Sequence, residues 1–217
     1  MDAWADRDMF EEAGNGNKPF GVRIPALVVT RTLTGQLNFL TALWFSPVGA
    51  EPSRMVVAIE KRSFTYKALC DTGEFVMCAP SRAMMDILVM GGRVSGRDVD
   101  KWAAAGFTAV KPKHISVPLV GEAIGNVEYR VLQQIPFDDK IDLFVGEVLA
   151  AYMRKGSMQN ELYKECDPAT GDSDPLLFVG TKFDDQGKSL GKFHGLFSGI
   201  QSADYDSPLL KKYVTRR

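Results

Sequence analysis

Apolar and β-branched runs, separated by polar turns, recur along most of the chain and predict a protein built mainly from β-strands. Run 55–59 is continuously apolar and run 74–79 is apolar after Glu74, which predicts strands that are buried on both faces. Apolar and charged residues alternate through residues 127–131, which predicts a strand with one solvated face. The predicted strands cover residues 26–32, 36–44, 55–59, 74–79, 122–135, 142–155 and 176–183.

Three short helices are predicted in the connections between these strands. Ser63 before residues 64–72 and Gly73 after them are typical of a helix start and a helix end. Similar signals predict helices over residues 81–90 and 98–105. Because no long helix follows each strand, the pattern disfavours a parallel Rossmann-type sheet. It predicts an antiparallel barrel with peripheral helices.

Composition and charge narrow the classes of function. The 217 residues carry 26 Lys and Arg against 27 Asp and Glu, and this balance argues against a dedicated nucleic-acid binder. Three cysteines without metal-ligand spacing and only two histidines argue against a metal site. No apolar run approaches the ~20 residues that cross a bilayer, and the acidic N-terminus is unlike a leader peptide. We therefore expect a cytoplasmic protein with no metal, no membrane contact and no nucleic-acid partner.

Polar residues interrupt the apolar pattern of the second predicted strand. Asn38 and Thr41 stand among apolar neighbours, and the strand ends in Trp44, Phe45 and a nearby proline. One interpretation is a core strand with a hydrogen-bonded threonine and a packed tryptophan, and from chemistry alone it is favoured. The other is a strand edge whose amides and side chains contact a planar heterocycle.

Cations and hydroxyl groups cluster where a buried strand meets the first predicted helix. Lys61, Arg62 and Lys67 surround the hydroxyl residues Ser63 and Thr65 at this helix start. A helix N-terminus offers free amide groups and a partial positive charge, so the cluster suits a phosphate. Simple capping by Ser63, with the three cations in water, is an equal alternative.

These segments, taken in order, resemble the flavin reductase-like family of FMN-binding split barrels, and its flavoredoxin-like members most closely. The resemblance spans roughly residues 20–155, and its specificity comes from the order and spacing of several short pieces. These pieces are Thr30, Thr34-Gly35, Asn38, the run from Thr41 to Pro47, Arg62-Ser63-Phe64-Thr65, Thr72-Gly73-Glu74-Phe75-Val76, Pro80-Ser81, the run from Ser95 to Trp102, Pro118, Glu122-Ala123 and Phe144-Val145-Gly146-Glu147-Val148.

The resemblance implies a mainly β fold, a six-stranded antiparallel Greek-key split β-barrel with short peripheral helices. It also implies a homodimer with FMN bound near the subunit interface. The domain organisation expected from it is an N-terminal extension (1–19), an FMN-binding barrel (20–155) and a C-terminal extension (156–217). We expect the C-terminal extension to pack on the barrel or on the partner subunit.

The resemblance also implies which residues bind FMN. Those at the ring and ribityl side include Asn38 and Trp44, and those at the phosphate include Arg62. Lys101 neutralises either the phosphate or the charge that develops on the reduced flavin, and Phe183 is the candidate that covers the ring. The full implied set is Asn38, Thr41, Ala42, Leu43, Trp44, Arg62, Ser63, Thr65, Cys78, Ala79, Ser95, Lys101 and Phe183.

Two positions depart from the family pattern. Cys78 stands where many members carry an asparagine. Many members also carry a histidine near the flavin just before the strand at 144–148, where this chain has Lys140-Ile141-Asp142-Leu143. We expect these changes to alter flavin electronics or substrate access and to leave FMN binding in place.

The function implied by the resemblance is an NAD(P)H-dependent FMN oxidoreductase. Electrons would pass from NADH or NADPH through bound FMN to an unidentified acceptor, and no protein acid or base is required, so no catalytic residue is assigned. An alternative is a flavoredoxin-type electron carrier or flavin-binding module that a redox partner protein reduces. A structural relative without a ligand is a third possibility.

Overall fold

The computed structural model describes residues 23–159, 162–163, 181–183 and 189–193. Its main sheet contains β1 (Ala26–Arg31), β2 (Leu37–Ala42), β3 (Phe45–Ala50), β4 (Ser53–Glu60), β5 (Glu74–Ala79), β8 (Gly125–Pro136) and β9 (Ile141–Met153). Short ribbons pair β6 (Ala109–Val110) with β7 (Leu119–Val120), β10 (Met158–Gln159) with β11 (Leu162–Tyr163), and β12 (Thr181–Phe183) with β13 (Ser189–Phe193). The helices are α1 (Phe64–Thr72), α2 (Met85–Arg93) and α3 (Lys101–Ala105), and a 3₁₀ turn at Arg82–Met84 precedes α2.

All neighbouring strands of the main sheet are antiparallel, in the order β2-β1-β5-β8-β9-β4-β3, so the predicted antiparallel, mainly β fold is confirmed. Strands β2 and β3 lie at opposite ends of this order, although only Leu43 and Trp44 separate them in the chain. There the Ala58 N–H of β4 donates to the Trp44 carbonyl at 2.9 Å. The main sheet has seven strands, where the resemblance implied six, because β2 and β3 are separate segments.

The hydrophobic pattern does not predict β3. Pro47 and Gly49 are uncommon inside strands, and the pairing of β3 with β4 shifts its register between these two residues. Every residue of β3 after Phe45 is exposed. The strand is therefore defined by its hydrogen bonds to β4, which the residue pattern does not encode.

The two faces of the sheet bury separate apolar clusters, because successive residues of a strand point to opposite sides. Val28 and Phe75 belong to one cluster, which α1 completes with Leu69. Phe39 belongs to the other cluster, where Leu88 of α2 covers the sheet. The helices thus pack on both faces of the sheet region formed by β1, β2 and β5.

Helix α1 has the predicted bounds. The Ser63 hydroxyl oxygen accepts from the Tyr66 N–H at 3.1 Å and caps the helix N-terminus. Gly73 ends the helix with φ 65°, a left-handed conformation that glycine adopts without a steric penalty. Local capping chemistry was sufficient to define this helix.

The other two helices differ from their predicted bounds. Asp100, rather than Asp98, caps α3, and its carboxylate accepts from the Ala103 N–H at 3.0 Å. Helix α2 continues through Gly91 to Arg93, although the sequence predicted that the helix would end at residue 90, before this glycine. A Cβ at Gly91 would lie 2.5 Å from Thr41 Oγ1, so this glycine permits close packing of α2 on β2.

Cys70 and Cys78 are free thiols, the first exposed and the second buried. Within the described ranges, no helix has the length and apolar character that a membrane span requires. The same residues contain no group of three potential metal ligands. The predicted extension 1–19 and most of residues 156–217 lie outside the described residues.

Candidate functional site

A buried side-chain hydrogen bond ties the start of α1 to strand β2. Asn38 Nδ2 donates to Thr65 Oγ1 at 2.8 Å, and each residue is 1% exposed. The remaining amide atom, Asn38 Oδ1, is buried without a hydrogen-bond partner in the described part of the chain. The same holds for Thr30 Oγ1, at the position of β1 that pairs with Asn38. Unpaired buried polar atoms are unfavourable, so this point has unused hydrogen-bonding capacity.

A turn at residues 95–97 packs against both of these elements. Gln36, just before β2, donates its Nε2 hydrogen to the Gly96 carbonyl at 3.2 Å. A Cβ at Gly96 would lie 2.7 Å from the Phe64 ring and would overlap Asn38 Oδ1. Glycine is therefore required for the turn to approach β2 and the start of α1 this closely.

Arg97 leads from this turn to the residues that open α1. Its Nη1 donates to the Arg62 carbonyl at 2.8 Å, and its Nη2 lies 3.5 Å from the Ser63 carbonyl. The guanidinium carbon lies 5.9 Å from the centroid of the Phe64 ring. Ser95 supports the turn, because its hydroxyl oxygen accepts from the Arg97 N–H at 3.2 Å.

The three cations that the sequence places at this helix start each have a carboxylate partner. The pairs are Lys61 Nζ with Asp142 Oδ1 at 3.0 Å, Arg62 Nε with Glu60 Oε2 at 2.6 Å, and Lys67 Nζ with Asp71 Oδ2 at 2.6 Å. The Arg62 side chain is 87% exposed, and exposed pairs of this kind contribute little to stability. Arg62 can therefore exchange Glu60 for another anion at small cost, whereas Lys61 is held by a buried carboxylate.

Asp142 of β9 is the centre of a buried polar network below α1. Its Oδ2 accepts from Tyr66 Oη at 2.8 Å and from Gln134 Nε2 at 2.7 Å, while its Oδ1 pairs with Lys61. Burial acts to raise the pKa of Asp142, but the hydrogen bonds from Gln134, Tyr66 and Lys61 and the charge of Lys61 outweigh it and lower the pKa to about 2. The hydrogen bond to Asp142, followed by burial, raises the pKa of Tyr66 to about 12.

The resemblance assigns residues Thr41 to Trp44 to the ring side of the site. Thr41 and Ala42 end β2, and Leu43 and Trp44 form the short link to β3. Thr41 Oγ1 donates to the Leu88 carbonyl of α2 at 2.6 Å, and Ala42 is buried in the core. Leu43 is half-buried, and Trp44 is 49% exposed. The interpretation of β2 as a core strand is therefore confirmed for Thr41, which is hydrogen-bonded. It is wrong for Trp44, which is half exposed rather than packed in the core.

Lys101, the first residue of α3, is only 3% exposed. Its Nζ lies 5.1 Å from the centroid of the Phe39 ring, and no hydrogen bond or ion pair joins it to another described residue. Burial lowers the pKa of Lys101 to about 8. Because Phe39 and Asn38 are consecutive in β2, they face opposite sides of the sheet. Lys101 therefore lies across β2 from the Asn38–Thr65 bond.

Cys78 and Ala79 end β5. The Cys78 thiol is 1% exposed, its Sγ lies 3.7 Å from the Leu27 carbonyl, and burial raises its pKa to about 12. Ala79 is half-buried, and its carbonyl accepts from the Ile124 N–H at 2.9 Å. The Cys78 thiol is therefore enclosed in the core and directed to the backbone of β1.

The structure thus brings Asn38, Ser63, Thr65 and Ser95 to one location, with Arg62 beside them. The side chain of Phe183 lies outside the described residues, so its ring-covering role stays a prediction. A cleft of about 360 Å³ lies elsewhere, beyond the β1–β2 turn, and none of the predicted site residues lines it.

Sequence reasoning did not assign a role at the site to Arg97, Tyr66, Gln134 or Asp142. Arg97 belongs to a segment that carried the resemblance, but its contact with the start of α1 spans 35 positions of the chain. Tyr66 and Asp142 are 76 positions apart, and no local pattern signals their pairing. The one signal in the sequence that indicated this region was the absence of the family histidine from residues 140–143, which include Asp142.

The family model for the flavin reductase like domain matches residues 22–186. The chain therefore belongs to this family. An uncharacterized protein of Archaeoglobus fulgidus is 32% identical over 112 residues, which cover 52% of this chain and 63% of that protein. The chain thus matches less than two thirds of the length of this curated relative.

Solved structures show the same fold. Flavoredoxin from Methanosarcina acetivorans matches with a TM-score of 0.72 and 23% identity, covering 93% of this chain and 99% of that one. An FMN-binding protein from Thermus thermophilus, solved with 1-cyclohex-2-enone, matches with a TM-score of 0.69 and 24% identity, covering 94% of this chain and 99% of that one. The chain therefore has a flavin reductase-like split-barrel fold.

Proposed function

We propose that this chain binds FMN where β2, the start of α1 and the 95–97 turn meet, and that it acts as an FMN-dependent oxidoreductase. The observation that carries this proposal is the buried Asn38–Thr65 hydrogen bond at 2.8 Å. It joins the two segments that the family resemblance assigns to the ring side and the phosphate side. The names of the similar flavoredoxin and FMN-binding protein agree with this cofactor.

The residues present fit the phosphate of FMN. The first turn of α1 presents its N–H groups at the helix start, and Ser63 caps only that of Tyr66. Arg62 is exposed and can exchange its weak partner Glu60 for a phosphate oxygen. The buried, unpaired Asn38 Oδ1 fits a cofactor that is rich in hydroxyl donors, as the ribityl chain of FMN is. We assign Arg62, Ser63 and Thr65 to the phosphate side of the site.

FMN, when bound, would supply the two-electron chemistry, and the protein would supply binding, orientation and electrostatics. Trp44 offers an exposed aromatic surface at the ring side, and Leu43 a half-buried apolar one. Lys101 lies across β2 from the phosphate residues, so we propose that its charge acts toward the ring side rather than toward the phosphate. Thr41 holds α2 against β2 and so fixes the wall of the site.

The test is a titration of the purified protein with FMN, followed by anaerobic addition of NADH or NADPH. We expect saturable FMN binding and bleaching of the flavin absorbance band with one nicotinamide or both. A protein that takes up no FMN would contradict the proposal and would favour a structural relative without a ligand.

The second candidate is an electron carrier of the flavoredoxin type, reduced by a partner protein. Two observations favour it. The Cys78 thiol is buried against the backbone of β1, and residues 140–143, near which many family members carry a histidine, contain none. Bleaching of bound FMN by dithionite, combined with no bleaching by NADH or NADPH, would support the carrier and exclude the nicotinamide-dependent enzyme.

We further propose that the chain works as a homodimer in the cytoplasm, with the barrel at 20–155 as the FMN-binding unit. Trp44 and Val48 are 49% and 53% exposed beside the link from β2 to β3, which provides apolar surface for a second copy. Sedimentation equilibrium, with and without FMN, tests the oligomeric state. A monomer under both conditions would contradict the dimer.

A further inference from the structure

Arg97 differs from the other cations around the start of α1. Lys61, Arg62 and Lys67 each pair with a carboxylate, whereas no ion pair of Arg97 is found among the described residues. We propose that Arg97 is a phosphate-binding residue of the FMN site and that it makes the site select the phosphorylated flavin over riboflavin. This inference rests on the proposed function.

The position of Arg97 is suited to a ligand at the helix start. Its Nη1 donates to the Arg62 carbonyl at 2.8 Å, and its Nη2 lies 3.5 Å from the Ser63 carbonyl. These two residues immediately precede the first turn of α1, whose amide groups face a ligand at the N-terminus. The guanidinium therefore adds a full positive charge beside the partial charge of the helix terminus.

Arg97 also has hydrogen-bonding capacity to spare. A guanidinium group carries five N–H donors in a planar arrangement, and the two carbonyl contacts use at most two of them. The planar arrangement of the remaining donors matches a phosphate group, which accepts more than one hydrogen bond from the same guanidinium. A lysine would keep the charge but would lose this geometry.

The turn that carries Arg97 is held in place before any ligand binds. Gln36 donates to the Gly96 carbonyl at 3.2 Å, and the Ser95 carbonyl accepts from the Asp98 N–H at 3.1 Å. Gly96 packs directly on Asn38, which is 1% exposed and whose buried Oδ1 lacks a hydrogen-bond partner in the described structure. The guanidinium is thus positioned beside a site that still has an unsatisfied buried acceptor. Because the turn is already held by these contacts, little ordering of Arg97 is needed when a ligand binds.

The experiment compares the affinities of FMN and riboflavin for the full-length wild-type protein, Arg97→Ala, Arg97→Lys and Arg54→Ala, by fluorescence titration at two salt concentrations. Arg54→Ala is the matched control, because Arg54 is an exposed arginine of β4 that pairs with Gly49 of β3 and Glu147 of β9. We expect Arg97→Ala to weaken FMN binding about tenfold and to leave riboflavin binding unchanged. Arg97→Lys should restore part of the FMN affinity, and Arg54→Ala should behave like the wild type.

Salt provides a second readout. The salt dependence of FMN binding should be smaller in Arg97→Ala than in the wild type, because one cation no longer contacts the phosphate. Equal losses of FMN and riboflavin affinity in Arg97→Ala would mean that Arg97 only supports the fold, and unchanged FMN affinity would mean that it does not contact the phosphate. Either result overturns this inference and leaves the proposed function intact. A wild-type protein that binds neither flavin would overturn the proposed function, and this inference with it.

Should Arg97→Ala fail to fold, Arg97→Lys carries the test. That variant keeps the charge and can keep one carbonyl contact, so its FMN affinity should still fall while its riboflavin affinity does not. Circular dichroism of each variant establishes that the compared proteins are folded.

Discussion

Tyr66 Oη lies 2.8 Å from Asp142 Oδ2, and this hydrogen bond joins the first turn of α1 to strand β9. On the other side of the helix start, Lys61 Nζ lies 3.0 Å from Asp142 Oδ1 and donates to the Asp138 carbonyl at 2.7 Å. The segment 62–65 is therefore flanked by Lys61 and Tyr66, and both side chains bind the Asp142 carboxylate. The position of the helix N-terminus depends on a residue 76 positions away from Tyr66.

Replacing Tyr66 by phenylalanine should lower both stability and FMN affinity. Loss of a hydrogen bond to a buried carboxylate costs about 1–3 kcal/mol in the free energy of unfolding, measured by urea denaturation. Tyr152→Phe is the matched control, because Tyr152 Oη donates to the buried Glu128 carboxylate at 2.7 Å. We expect a similar loss of stability in the control with unchanged FMN affinity. Equal FMN affinities of the two variants would contradict a role for Tyr66 in positioning the helix start.

The low pKa of Asp142 predicts a specific dependence of stability on pH. Its pKa is about 2 in the folded protein, below the ordinary value of 3.8, so the folded state favours the ionised form. The resulting stability is fully present above pH 4 and is lost as the pH falls toward 2.

Asp142→Asn tests this dependence, because it removes the charge and keeps the shape of the side chain. The difference in the free energy of unfolding between wild type and Asp142→Asn should be largest near pH 6 and should shrink at pH 3. A difference that stays constant over this range would show that the carboxylate does not titrate as expected.

Lys101 predicts a second rise of stability with pH, at alkaline pH. Burial lowers its pKa to about 8 from the ordinary 10.5, so the folded state disfavours the charged form. Between these two values the unfolded chain holds the proton and the folded chain does not. The free energy of unfolding should therefore rise with pH over this window, by about 1–2 kcal/mol once solvent screening is included.

Lys101→Met separates this contribution from that of other groups. The variant should be more stable than the wild type at pH 7, and the advantage should decline as the pH approaches 10. Lys67→Met serves as the control, since Lys67 is exposed and paired with Asp71. The same pH profile in both variants would contradict the assignment to Lys101.

Gly96→Ala should disturb the site at its most closely packed point. The added methyl group would meet the Phe64 ring and Asn38 Oδ1, so the 95–97 turn must move away from β2. Overpacking of this kind costs roughly 1–3 kcal/mol, and we expect weaker FMN binding as well.

Gly106→Asn is the control for this glycine. Gly106 has φ 65°, which asparagine tolerates, and no atom lies within 4 Å of a Cβ built there. Thermal unfolding and FMN titration should show a near-normal protein. A Gly96→Ala protein that binds FMN like the wild type would show that the turn is not part of the site.

Much of the candidate site can be predicted from short segments. The start and end of α1 follow from Ser63 and Gly73, since capping is a local interaction. The family resemblance brought Asn38 and Thr65 together, and the structure shows them hydrogen-bonded. The pairing of Lys61 with Asp142 could not be predicted, because it depends on which distant strand lies next to the helix start.

The sequence by itself determined the alternation of strands and turns, the antiparallel mainly β class and the cluster of hydroxyls and cations before α1. These are encoded in local periodicity and capping preferences, which act over a few residues. Only the tertiary structure decided that β2 and β3 end the main sheet on opposite sides, and which of the clustered cations are already paired. The pairing of β4 with β9 brings Asp142 to the start of α1, and the packing of the 95–97 turn brings Arg97 there. Electrostatic attraction depends on that spatial arrangement rather than on position in the chain.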